Sequence, residues 1–181
     1  MFFSYRFLLA ILKEKISESL IQNVTAFSIS FFYTSSPSST FVADQMKNTL
    51  NTALTNSKTR LAQGDKPFII AKDLYSAYSN QKVLVSLNGY NLSQSSSGNE
   101  SYFVNPKTYE VKSKQLLAGG YTEFYSALAS MKAGEIKTVV ASEGIGGNVI
   151  KVISVNSGSY ANYEDFLSKQ RKSLLTVIVS L

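Results

Sequence analysis

From Val24 to Tyr33 (VTAFSISFFY) the chain is β-branched and aromatic, with partial alternation of apolar and polar positions, and it runs into the polar, proline-containing stretch Thr34–Ser39. That pattern predicts a strand ended by a turn. Between Thr40 and Leu61 the apolar residues Val42, Met46, Leu50, Leu54 and Leu61 recur at helical spacing, and Gln63-Gly64-Asp65 supplies the stop. Pro67 can occupy a first helical turn, so Phe68–Tyr78 is predicted as a second, shorter helix. A strand over Lys82–Leu87, a polar low-complexity loop over Asn88–Ser101 and a hairpin over Tyr102–Lys112 around Asn105-Pro106 come next. Phe124, Leu128 and Met131 mark one stripe of a helix over Tyr121–Met131, ended by Ala133-Gly134. Two more strands, Ile136–Ala141 and Asn148–Val155, are joined across Gly144–Gly147, and helices are expected over Phe7–Ile21 and Tyr160–Leu175. The order predicts an α+β fold: a small, mostly antiparallel sheet covered by helices, with an N-terminal and a C-terminal helical extension and no internal repeat.

A length of 181 residues suits one domain with appended helices, and 44% apolar residues argue against wholesale disorder. The chain has no cysteine and no histidine. Disulfides, thiolate nucleophiles, Ser-His-Asp triads and His- or Cys-ligated metals are therefore excluded, and no metal or cofactor is expected. Lys and Arg outnumber Asp and Glu by 18 to 12, but the cations are spread from Arg6 to Lys172. They read as a solvated basic face, and without a basic arm or an aromatic RNA-binding motif no nucleic-acid partner is expected. Gly144, Gly146 and Gly147 precede no helix and so suit a turn rather than a phosphate cradle. Met1–Leu12 (MFFSYRFLLAIL) is too short for a standard span and lacks a cleavage site, which leaves membrane association through this segment as an expectation.

Glu123 through Val152 (EFYSALASMKAGEIKTVVASEGIGGNVIKV) carries a Phe opening a helix, a Lys-x-Gly-Glu-Ile turn at Lys132–Ile136, a strand, a glycine turn and the closing strand Asn148-Val149-Ile150-Lys151-Val152. In this the chain resembles the parvulin-type peptidyl-prolyl isomerases, especially extracytoplasmic foldases. Val24–Ile29 is similar to the family's first strand, and Leu61–Ser76 (LAQGDKPFIIAKDLYS) to its Gly-x-Asp-Phe…Tyr-Ser helix pair. The resemblance runs from Val24 to Val155 and divides the chain into an N-terminal helix over 1–23, a parvulin-like domain over 24–157 and a C-terminal helix over 158–181.

The resemblance places the family's two active-site histidines at Ser28 and Asn148 and its proline-pocket residues at Gly120, Phe124, Ala129 and Met131. Ser28 and Asn148 can hydrogen-bond to each other across adjacent strands but cannot titrate. The resemblance thus implies an isomerase-like foldase or chaperone domain that binds extended or unfolded polypeptide, with catalysis weakened or lost. The alternative is a non-catalytic peptide-binding or assembly module on the same fold, using apolar terminal helices; those helices suggest either a homodimer or a fragment of a larger foldase. An extracytoplasmic or membrane-associated bacterial setting is implied by the resemblance alone.

Overall fold

The computed structural model describes residues 21–93, 101–112, 121–141, 145–157 and 168. The chain is α+β: a six-stranded antiparallel sheet with helices on both faces. Its elements run β1 (Ile21–Tyr33), α1 (Thr40–Ala62), α2 (Pro67–Tyr78), β2 (Val83–Leu87), β3 (Tyr90–Asn91), α3 (Ser101–Val104), β4 (Lys107–Lys112), α4 (Tyr121–Ser130), β5 (Ile136–Val140) and β6 (Gly146–Ser157). The strand order is β3-β2-β1-β6-β5, with β4 also pairing with β1.

α1 starts where the Ser39 hydroxyl accepts the Val42 N–H at 3.3 Å, and the left-handed Gly64 (φ 95°) follows its end. Arg60 near that end holds Asp65 at 2.7 Å and Asp73 of α2 at 2.8 Å, which ties the two helices together. Leu50, Ala53, Leu54 and Leu61 face the sheet, where they join Ile70, Ala71 and Leu74 of α2 over Ile29, Phe31, Val85, Leu87 and Val149. The opposite sheet face carries α4, with Phe124, Leu128 and Met131 packed on Val24, Ala26, Tyr109, Val111, Ile150 and Val152. One face of β1 therefore serves α1 and α2, and the other serves α4.

β6 pairs along the length of β1, from Gln22↔Ser157 to Phe32↔Gly146, with one bulge at Ile153. The other edge of β1 has two successive partners. β4 covers Ile21–Ala26 and β2 covers Ile29–Tyr33, so neither ladder reaches Phe27 and Ser28. Asn88 fills the seam. Its backbone N–H donates to the Ser28 carbonyl at 2.8 Å, and its Oδ1 accepts the Ser28 N–H at 3.1 Å. Its Nδ2 donates to the Asn105 carbonyl at 2.9 Å. Asn88 does this from φ 56°, next to Gly89 at φ 85°, which is the two-residue turn geometry that favours Asn-Gly between strands.

Four local expectations are corrected. Strand β1 starts at Ile21 rather than Val24, because β4 and β6 flank its first residues on both sides. Tyr102–Lys112 is not a hairpin: Ser101–Val104 is a helical turn, and Lys107–Lys112 pairs with β1 instead. Asn88–Ser101 is not wholly loop, since Leu87↔Tyr90 closes a hairpin. The closing strand is longer than Asn148–Val155, taking in Gly146 and Gly147. A β-carbon on Gly147 would lie 2.6 Å from the Val139 carbonyl and 2.7 Å from Leu54, so glycine lets α1 close on the sheet there. The helix expected over Phe7–Ile21 has Ile21 in β1, and its other residues lie outside the described ones. Of Tyr160–Leu175 only Ser168 is described, as helical.

Replacing Asn88 by Ala leaves the buried Ser28 N–H without its acceptor and the Asn105 carbonyl without its donor, and removes the side-chain bonds that offset the left-handed backbone of this residue. The expected loss is about 2–4 kcal/mol in urea unfolding. Asn88→Gly also loses the side-chain bonds but removes the β-carbon that disfavours the left-handed region, so its loss is expected to fall between wild type and Asn88→Ala.

Candidate functional site

The sheet face that carries α4 is apolar at one end and polar toward the other. Along β1 that face reads Ala26, Ser28, Ser30, Phe32, and the adjacent strands match it in register. Ser86 of β2, Ser30 of β1 and Asn148 of β6 form a row across three strands, with Leu84, Phe32 and Gly146 in the next row. A β-carbon at Gly146 would overlap the Phe32 ring, so glycine there makes room for the ring. Beside Phe124 and Tyr125 of α4 this polar stretch, its side chains buried, forms the floor of a cleft of about 540 Å³.

The cleft has three kinds of wall. Tyr109 of β4 and Phe124 and Tyr125 of α4 form an aromatic cluster, with ring centroids 5.3 Å (Tyr109–Phe124) and 5.4 Å (Phe124–Tyr125) apart in edge contacts. Phe32 and Leu84 make a second apolar wall. Ser28, Ser30, Ser86, Asn88 and Asn148 supply the neutral, hydrogen-bonding surface between them, and Lys107 stands among the lining residues. Ser30 donates from Oγ to Asn148 Oδ1 at 2.6 Å, which fixes the amide of Asn148 and makes Nδ2 its donor end. Burial pushes the Tyr109 phenol well above its ordinary value of 10.0. Repulsion from Tyr125 adds to the shift, and a hydrogen bond with Ser28 opposes it.

Of the six residues singled out from sequence, Ser28, Phe124 and Asn148 come together in this cleft. Ser28 and Asn148 do not pair with each other. Ser28 lies opposite Ile150 and Asn148 opposite Ser30, a two-residue offset that gives Asn148 to Ser30 and leaves the Ser28 side chain with Tyr109. Met131 is buried in the core under α4 and does not line the cleft, Ala129 is exposed on the helix, and Gly120 lies outside the described residues. Sequence reasoning does not single out Ser30, Ser86, Asn88, Lys107, Tyr109 or Tyr125. Two signals for some of them are present: the Ser28-x-Ser30 alternation in β1, and Asn88-Gly89 directly after an apolar strand. Among the described residues no group of acidic, His or Cys side chains could hold a metal. Compared with known protein families, curated proteins and solved structures, the chain matches none.

The raised Tyr109 phenol gives a pH dependence of known sign. Below pH 10 the phenol is protonated both folded and unfolded, so it makes no change in stability there. Above pH 10 the unfolded chain releases that proton and the folded chain keeps it, so stability falls as pH rises toward the raised value. Urea midpoints measured across the alkaline range are expected to drop above pH 10, and to drop less in Tyr109→Phe.

Proposed function

We propose that the cleft binds extended or unfolded polypeptide, as a peptidyl-prolyl isomerase-like foldase or chaperone domain whose catalysis is weak or lost. The observation that carries this is the pairing of an aromatic wall with a hydrogen-bonding, uncharged floor in one cleft open to solvent. An apolar side chain or proline ring would sit against Tyr109 and Phe124. The chain on either side of it would meet Asn148 Nδ2 and the serine hydroxyls, which suit backbone carbonyls and N–H groups. The second ground for the reading is the sequence resemblance to parvulin-type domains over Glu123–Val152.

Prolyl isomerisation asks little of such a site chemically. The barrier of about 18–20 kcal/mol comes from amide resonance, so a catalyst works by holding the twisted amide better than either planar form. Ser28, Ser30 and Asn148 are neutral and cannot change charge as the bond twists. Ser30 also holds the Asn148 carbonyl, which leaves few groups positioned to follow the rotating amide. Peptide binding with little acceleration is the expected behaviour.

The test is NMR exchange between cis and trans forms of an Ala-Ala-Pro-Phe peptide, with and without the protein. Binding shifts and an exchange rate raised by less than about tenfold are expected. Absence of any peptide binding would overturn the proposal, and strong acceleration would overturn its weak-catalysis part. Asn148→Ala removes one neutral hydrogen bond and is expected to weaken peptide binding by about two- to tenfold, with stability followed in parallel by urea unfolding.

A further inference from the structure

The cleft floor is neutral, but its rim carries one cation. Lys107 opens β4, and the two-residue period of that strand puts it on the face of Tyr109 and Val111, while Thr108 and Glu110 fall on the other. Its register opposite Ala26 anchors the stem of the side chain in the sheet. The ammonium lies 5.5 Å from the Tyr109 ring centroid, and a β-carbon on Gly89 would come within 3.7 Å of it. It is therefore held between the aromatic wall and the β2–β3 turn.

Nothing neutralises that charge among the described residues. Both ion pairs found there belong to Arg60, on the far side of the sheet. The described lining residues of the cleft include no carboxylate, and Lys107 is the charged one among them. Lys107 is exposed and water screens it on its outer side, while toward the cleft the Tyr109 ring takes the place of water, so its charge is felt by a ligand seated there.

We propose that the cleft selects acidic peptides, with Lys107 taking the carboxylate of an Asp or Glu that adjoins the residue seated against Tyr109 and Phe124. This rests on the peptide-binding role above. An extended chain advances about 3.3–3.6 Å per residue, so the 5.5 Å between the ammonium and the Tyr109 ring corresponds to the next residue or the one after. Lys107 is thus a specificity-determining residue, and a lysine at the same ligand position is disfavoured by repulsion.

Three peptides, Ala-Glu-Pro-Phe, Ala-Ala-Pro-Phe and Ala-Lys-Pro-Phe, titrated into the full chain by NMR or calorimetry at low salt, test this directly. The Glu peptide is expected to bind about three- to fivefold more tightly than the Ala peptide, and the Lys peptide more weakly than both. The preference should vanish in Lys107→Gln and reverse in Lys107→Glu. It should persist in Lys58→Gln, which removes the same charge from exposed α1 on the opposite side of the sheet. Equal binding of the three peptides would overturn acidic selectivity and leave peptide binding standing. A preference that survives Lys107→Gln, or falls equally in Lys58→Gln, would assign it to net charge and overturn the proposal. No binding of any peptide would overturn the peptide-binding role and this selectivity together.

Discussion

β1 has one edge filled by β6 along its length and the other shared between two strands that do not meet. The rest of the sheet depends on how that second edge is closed at Phe27 and Ser28. A buried strand cannot leave an N–H and a carbonyl unpaired without a cost of about 1–3 kcal/mol for each group. Asn88 meets both with its own N–H and side-chain oxygen, and reaches across to Asn105 just before β4 begins. One side chain in a left-handed turn thus ends β2 and positions the approach of β4. Without it, β2 and β4 would keep their own registers on β1 but lose the link that closes the gap between them at Ser28.

The same strand decides where the site lies. Its helix-side residues, Ile29 and Phe31, are large and apolar and belong to the core under α1 and α2. On the opposite face, Ala26 lies under α4, and from Ser28 onward small hydroxyl side chains take over. Small polar residues beneath an aromatic rim leave a concave space that packing does not fill, and Ser86 and Asn148 extend it over three strands. The floor side chains Ser28, Ser30, Ser86 and Asn148 are themselves buried, so it is their small size that leaves the space above them. Such a patch is the usual form of a binding cleft.

Much of the fold is legible in the sequence because it is written in local signals. Ser39 before α1, Gly64 after it, Pro67 at the start of α2 and the Phe124–Leu128–Met131 stripe each act within a few residues. The α+β class emerges from their order. Lys107–Lys112 is harder to read, because Asn105-Pro106 is a local turn signal while the partner of that strand is more than eighty residues away in β1. The site is legible in part. Phe124, Ser28 and Asn148 do share a cleft, but which serine Asn148 meets depends on a register offset of two residues that no local pattern specifies. Ala129 lies in the last turn of α4 and faces solvent, while Met131, just past the helix end, is buried in the core.

The cleft combines walls for an apolar side chain, a floor for a backbone and a cation at the rim, held by strands paired to β1 and by α4 packed on them. The most direct measurement is a map of backbone amide shifts across the chain as a proline-containing peptide is added. The perturbed amides are predicted to cluster at Ser28, Ser30, Ser86, Asn88, Tyr109, Tyr125 and Asn148. Perturbation centred instead on the groove lined by Tyr33, Gln45, Thr49 and Lys82, with these amides unmoved, would contradict a peptide-binding cleft on the α4 face.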